Sequence, residues 1–236
     1  MAHHMVVTGH NVVYVSLEMP RKQVRRRLMI RHALMDKFGA GGVSLTALNN
    51  HKPSSPALTD EQAERYMEAV KDWSDNDTYG QIPIIQAERD SRFSSIRAMV
   101  NRWQSKMDID AIIIDSLDLV TADTRRSSRR DELNEVIISG KNLAMSFADG
   151  VPVITPWQTS RDAFHRATSD FSDGQYSITA MAETSEAERR ADLIVALLQK
   201  PDTNSRLKVQ TLKWRDGAPE DFELKVDYDK CYIGSN

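Results

Sequence analysis

Two carboxylates follow runs of apolar residues in the first half of the chain. Glu18 comes directly after the apolar segment 11–17, and Asp115 ends the run that begins at Ala111. Runs that are apolar on both faces are typical of central strands in a parallel sheet, because helices cover such strands on both sides. Open α/β sheets bind their ligands at the carboxyl ends of these strands. The two carboxylates therefore predict an oxygen-rich site that could hold a Mg²⁺-nucleotide and an attacking water.

The sequence lacks the motif that usually completes such a site. No segment has the form G-x-x-x-x-G-K-[ST], the phosphate loop whose backbone N–H groups and lysine hold the phosphates of a nucleotide. We therefore expect this chain by itself to bind ATP weakly and to be deficient in ATP hydrolysis.

Length and composition restrict the class of protein. A chain of 236 residues can form one large α/β domain or at most two small ones. The net charge of −3 gives no general attraction to nucleic acid or anionic membranes, so any such binding must come from local clusters. Cys231 is the only cysteine, which excludes an internal disulfide framework and a cysteine metal site. No apolar stretch approaches the roughly 20 residues that span a bilayer, so we expect a soluble intracellular protein.

Strand and helix patterns alternate along the chain and predict a mainly parallel sheet. Helices are expected at residues 1–8, after Pro20, from Thr59 to about Trp73, around residues 96–103 and around residues 133–147. Strands are expected at residues 11–17, 82–86, 111–115, 151–155 and 191–198. Two alternating segments, 207–214 and 222–226, flank Asp216-Gly217 and predict an antiparallel hairpin at the C-terminal edge. Residues 39–56 and 161–177 read as loops, and the length of the second suggests a functional role.

Five segments, in this order, resemble the RecA-type motor domain of DnaB-type replicative DNA helicases. Residues 16–20 (S-L-E-M-P) resemble the S-L-E-M segment of that family, and residues 112–120 resemble its Walker B strand. Residues 152–161 resemble its sensor strand with S-Q-L-x-R, residues 183–192 its E-S-G-A-I-E-Q-D-A-D segment, and residues 213–217 its K-x-R-x-G hairpin. The resemblance covers nearly the whole chain.

The resemblance implies a fold, an activity and cofactors. Residues 1–236 would form a single RecA-like ATPase domain with three αβα layers, incomplete at its N-terminus because the first, phosphate-loop strand is lacking. The family uses ATP and Mg²⁺ to unwind duplex DNA during replication. By resemblance, Glu18 is the general base, Asp115 holds the metal through its outer sphere, and Gln158 senses the γ-phosphate. Lys213 and Arg215 would act in trans, as a finger that reaches the nucleotide of the next subunit.

The resemblance also implies partners. They are single-stranded DNA, further copies of the chain in a head-to-tail ring (a hexamer in the family), and primase and loader proteins through parts that are absent here. The expected location is the cytoplasm of a bacterial or phage-infected cell, with no membrane partner. The candidate DNA-binding residues are four arginines after the Walker B strand and two residues of the family's pore loop: Arg125, Arg126, Arg129, Arg130, Glu183 and Ser185.

Other readings of these residues remain open. Taken singly, Asp115 could cap a helix, Glu18 could lie in a solvated turn, and Lys213 and Arg215 could be exposed charges on an edge strand. The chain could also be a different RecA-like ATPase, of the recombinase or circadian-clock kind, or a non-enzymatic subunit that only assembles rings.

Overall fold

The computed structural model describes residues 1–49, 56–124, 126, 128–169, 174–178, 185–199 and 205–235. The helices are α1 (Ala2–Val7), α2 (Arg21–His32), α3 (Leu45–Leu48), α4 (Asp60–Asp75), α5 (Phe93–Gln104), α6 (Arg129–Met145), α7 (Arg161–Thr168) and α8 (Ser185–Arg190), with 3₁₀ turns at Asp36–Phe38 and Leu117–Leu119. The strands are β1 (Val12–Ser16), β2 (Ile84–Gln86), β3 (Ala111–Asp115), β4 (Val153–Ile154), β5 (Leu193–Leu198), β6 (Arg206–Trp214), β7 (Phe222–Asp227) and β8 (Tyr232–Gly234).

The first four strands form a parallel sheet in the order β2-β1-β3-β4. One face packs on α5 and α6 through a core that includes Val13, Ile114, Ile96 and Val136, each fully buried. On the other face Val6 of α1 packs against β1 and β3, while residues of α2 pack against Ile84. Helices therefore cover both faces, as the apolar runs predicted, and the three-layer αβα arrangement is confirmed.

The C-terminal strands form a second, antiparallel sheet in the order β5-β6-β7-β8. The predicted hairpin is confirmed as β6 and β7. The antiparallel part is larger than a hairpin, because β5 pairs with β6 and a short strand, β8, pairs with β7. We did not predict β8, which has only three residues and carries no extended alternation.

Most predicted helices are confirmed, and one predicted loop is wrong. The Thr59/Gln62 capping box opens α4: Thr59 accepts from the N–H of Gln62, and the Gln62 side chain accepts from Thr59 in return. Residues 161–177 were predicted to be a long loop, yet residues 161–168 form α7. The hydroxyl of Ser160 caps this helix by accepting from the N–H of Ala163, which is itself buried. α7 is only about two turns long, which makes it a short signal within the sequence.

Part of the predicted loop 39–56 is helical, since residues 45–48 form α3. Within it, Ser44 caps the short helix α3 by accepting from the N–H of Ala47. The turn before β8 holds α3 in place, because Asp229 accepts from the N–H of Thr46 at 2.8 Å. In the described parts of the chain, no helix is both long and apolar enough to cross a membrane.

Candidate functional site

Glu18 and Asp115 lie at the same edge of the parallel sheet. β1 and β3 are parallel neighbours, and Ser16 is directly opposite Asp115 in their register. The N–H of Leu17 continues this pairing by donating to the carbonyl of Asp115 at 2.7 Å. Glu18 follows immediately and is exposed, whereas Asp115 is half-buried. The predicted geometry, two carboxylates at the ends of adjacent parallel strands, is confirmed.

Tyr14 holds the carboxylate of Asp115 from inside the sheet. Its hydroxyl donates to Asp115 Oδ2 at 2.7 Å. Burial raises the pKa of Tyr14, and the hydrogen bond to Asp115 raises it further. The phenol therefore stays protonated and acts as a donor. We missed this residue in the sequence, although a tyrosine within an otherwise aliphatic strand is a signal, since a buried hydroxyl needs a partner.

The chain after Asp115 is tied to the neighbouring strand. The N–H of Leu117 donates to Oγ1 of Thr155, which directly follows β4, at 3.0 Å. Three residues beyond Thr155, Gln158 has an exposed side chain, and the preceding Trp157 packs against the main core. β3 and β4 thus end side by side, and Gln158 lies in the segment that leaves the same edge of the sheet.

Lys213 and Arg215 make contacts within their own subunit. The Arg215 guanidinium lies 2.5 Å from Asp192, and the Lys213 ammonium donates to the carbonyl of Glu188 at 2.6 Å. A hydrogen bond from Lys141 is the main cause of the lowered pKa of Asp192, and Arg215 and Lys213 add to it. Both side chains reach the same short stretch, 188–192, which agrees with the prediction that they share a face. Any contact with a neighbouring subunit would exchange these bonds.

The arginines after β3 are partly neutralised by carboxylates of α6. Arg126 lies 2.5 Å from Glu135, and Arg129 pairs with Glu132 at 3.4 Å. Burial alone would raise the pKa of Glu135, but the hydrogen bond from Arg126 lowers it. Arg130 is exposed and has no ion pair within the described ranges.

The remaining predicted DNA-binding residues cannot be placed in the same way. Arg125 and Glu183 lie outside the described residues, and Ser185 is described only through its backbone at the start of α8. Of the six candidates, the structure thus describes the side chains of Arg126, Arg129 and Arg130.

Asp115 is suited to a magnesium ion. Its carboxylate is half-buried at a sheet edge, and only Oδ2 is occupied by the Tyr14 hydroxyl. Mg²⁺ prefers oxygen ligands and usually keeps several waters, so one carboxylate could hold it through these waters. Among the described residues, no three His, Cys, Asp or Glu side chains converge as a complete protein-only metal site.

The sheet order, the covering helices and the shared carboxylate edge define a RecA-like α/β domain. Two solved structures have this fold. The ATPase domain of the protein G40-P superposes with a TM-score of 0.80 at 18% sequence identity, over 100% of this chain and 78% of that one. A DnaB-like replicative helicase, studied with its interactions with primase, superposes with a TM-score of 0.78 at 18% identity, over 100% of this chain and 54% of that one.

The family follows from the sequence match. The family model of the DnaB-like helicase C-terminal domain matches residues 1–232, and the chain belongs to this family. No curated protein matches it. The resemblance that was drawn from the five segments is thereby confirmed.

Proposed function

We propose that this chain is the motor part of a replicative DNA helicase that uses ATP hydrolysis to unwind duplex DNA. The observation that supports this most strongly is the shared edge of Glu18 and Asp115, set by the parallel register of β1 and β3. Phosphoryl transfer to water needs a carboxylate that orients the water and a second oxygen ligand for the metal. Both are available at this edge, on strands whose cores are fully buried and therefore rigid.

The residues would divide the chemistry as follows. Glu18 is exposed beyond the end of β1, so its carboxylate is accessible to a water and can accept the proton as general base. Asp115, held in one orientation by Tyr14, would hold Mg²⁺ through the metal's water shell. When bound, the metal neutralises charge on the phosphates. Gln158 would contact the γ-phosphate from the segment that follows β4.

Ring assembly supplies the remaining charge in this proposal. Lys213, near the end of β6, is half-buried, and Arg215, just after β6, is exposed. Both can exchange a partner within the subunit for the nucleotide of another subunit. This contact is head-to-tail, because one surface of a subunit meets a different surface of the next, and such contacts close into rings when the rotation allows. Single-stranded DNA, primase and a loader complete the proposed partners.

A second candidate function is a subunit that assembles but does not hydrolyse ATP. One observation favours it: Lys213 and Arg215 already have partners within the subunit. The DNA upstream of the Met1 codon separates the two candidates. An in-frame G-x-x-x-x-G-K-[ST] motif there supports the motor, and a stop codon directly upstream supports the assembly subunit.

The direct test measures ATP hydrolysis by the product of the complete gene, with and without single-stranded DNA. We expect stimulation by DNA in the wild type. Asp115→Asn should lower the rate about 100-fold or more, within the range for loss of a group that acts on the reaction's charge. Asp149→Asn is the matched control, since Asp149 is exposed in the loop after α6. Equal rates for wild type and Asp115→Asn would contradict the assignment.

A further inference from the structure

Helix α2 carries an unusual density of cations without acidic partners. Six of its twelve residues are Arg or Lys, and its first turn contains no acid. Within the described ranges, none of the six forms an ion pair with a carboxylate. The six cations are Arg21, Lys22, Arg25, Arg26, Arg27 and Arg31. The surface of α2 is therefore a local positive field on a protein of net negative charge.

Part of this field lies in a pocket between α2 and α3. The pocket has a volume of about 330 Å³ and is lined by Gln23, Arg26, Arg27, Leu45 and Asn49. Among the described residues, its lining contains two guanidiniums and two side-chain amides but no carboxylate. Leu45 is the one apolar contribution, and no aromatic ring lines the pocket that could stack on a base.

Arg26 is held in position for binding. Its guanidinium donates to Oδ1 of Asn49 at 2.7 Å. Since the amide oxygen is used, the Asn49 amide NH₂ remains as a donor at the pocket wall. The neutral partner leaves the charge of Arg26 uncompensated, and the other guanidinium donors stay available. Asp229, which binds α3 from the neighbouring turn, is itself engaged by the N–H of Thr46.

We infer that this pocket between α2 and α3 binds phosphoryl groups. Guanidiniums bind phosphate oxygens in a bidentate fashion, and the amides of Gln23 and Asn49 add neutral donors. A lining with two guanidiniums, two amides and one apolar side chain fits an anion better than an apolar ligand. The volume exceeds that of a single phosphate, so the site suits two linked phosphoryl groups, either of a small phosphorylated molecule or of a nucleic-acid backbone. The inference does not depend on the proposed function.

The test titrates two probes into the chain as it stands: pyrophosphate, followed by calorimetry, and a fluorescent (dT)₂₀ strand, followed by anisotropy. The double variant Arg26→Gln/Arg27→Gln removes both charges from the pocket. The matched control is Arg102→Gln, an exposed arginine in the last turn of α5. We expect the double variant to weaken pyrophosphate binding about tenfold or more, on the scale of lost charge-assisted hydrogen bonds, while Arg102→Gln stays within about twofold.

The two probes identify the source of the phosphoryl group. If (dT)₂₀ binding also weakens in the double variant, and its log–log salt dependence falls by about 1.4 for two lost contacts, the site takes a nucleic-acid backbone. If only pyrophosphate binding weakens, the site takes a small phosphorylated molecule. Arg26→Lys keeps the charge and should weaken pyrophosphate binding less than Arg26→Gln. This comparison distinguishes the loss of charge from a folding defect as the cause of weaker binding. Failure of pyrophosphate to saturate the wild type, or an equal loss in Arg102→Gln, would overturn the inference.

Discussion

Two buried histidines join α1 to α2 and make the stability of the fold sensitive to acid. His3 Nε2 lies 3.0 Å from His32 Nδ1, and His32 Nε2 lies 2.8 Å from Asp72 Oδ2. Hydrogen bonds from Lys37 and His32 outweigh burial and lower the pKa of Asp72 to about 2, so its carboxylate is an acceptor. His32 must therefore carry its proton on Nε2, and its Nδ1 accepts from His3. This chain of donors fits two neutral rings.

The magnitude follows from the pKa of His3. Burial, and then the nearby charges of His32 and Arg31, lower that pKa from 6.5 to about 3. The unfolded chain thus binds a proton below pH 6.5, whereas the folded chain does not until about pH 3. The stability that depends on a neutral His3 is therefore fully present above pH 6.5 and is lost as the pH falls. One pKa unit corresponds to about 1.4 kcal/mol, so the loss between pH 6.5 and pH 5 is about 2 kcal/mol. The lowered pKa of His32 acts in the same direction.

Urea unfolding at pH 7 and pH 5 measures this loss. We expect the free energy of unfolding of the wild type to fall by about 2 kcal/mol or more. In His3→Gln the amide can still donate to His32 but does not titrate. The part of the stability loss that comes from protonation of His3 should therefore disappear. His4→Gln is the matched control, because His4 is the exposed neighbour on the same helix. Equal stability of the wild type at both pH values, or a fall that His4→Gln also removes, would refute the reasoning.

Three further predictions concern the candidate site and its assembly. Tyr14→Phe should lower the free energy of unfolding by about 1–2 kcal/mol, because half-buried Asp115 loses its donor. The control variant Tyr66→Phe should change this free energy by less than about 0.5 kcal/mol. A smaller effect for Tyr14→Phe than for Tyr66→Phe would contradict the Tyr14–Asp115 contact. This chain alone should turn over ATP below about 1 s⁻¹ in a coupled phosphate-release assay with single-stranded DNA, and faster turnover would mean that another segment holds the phosphates. Light scattering of the chain alone should show a monomer or a weak oligomer, with rings formed by the complete gene product and ATP. A stable hexamer of this chain that is indifferent to Arg215→Ala would show that assembly does not need the nucleotide site.

The sequence predicted the parallel sheet and its carboxylate edge because both depend on strong local signals. The runs at β1 and β3 are apolar on both faces, so burial alone fixes them as central strands. Once they are parallel neighbours, the positions of Glu18 and Asp115 follow. The alternating segments around Asp216-Gly217 likewise predicted β6 and β7. These strands pair at residues 206–209 and 222–225, so the connection of residues 210–221 is longer than the tight turn that Asp-Gly indicates.

What the sequence could not predict depends on contacts between distant segments. The sequence predicts a loop at α7 because the helix is only eight residues long and its buried residues, Ala163 and Ala167, are small. The histidine pair joins residues 29 positions apart, and the Tyr14–Asp115 bond joins residues 101 positions apart. The sequence also did not predict the ion pair of Arg126 with Glu135, because it depends on where α6 lies relative to the preceding loop.

Strand separation by the complete gene product tests the central claim, that the Glu18–Asp115 edge drives a helicase. The assay follows release of a labelled strand from a forked duplex in the presence of ATP and Mg²⁺. The wild type should unwind the fork, and Glu18→Gln should reduce the rate at least about 100-fold, as expected for loss of a general base. Glu68→Gln, an exposed carboxylate on α4, should unwind at the wild-type rate. Unwinding by Glu18→Gln at the wild-type rate would contradict the account.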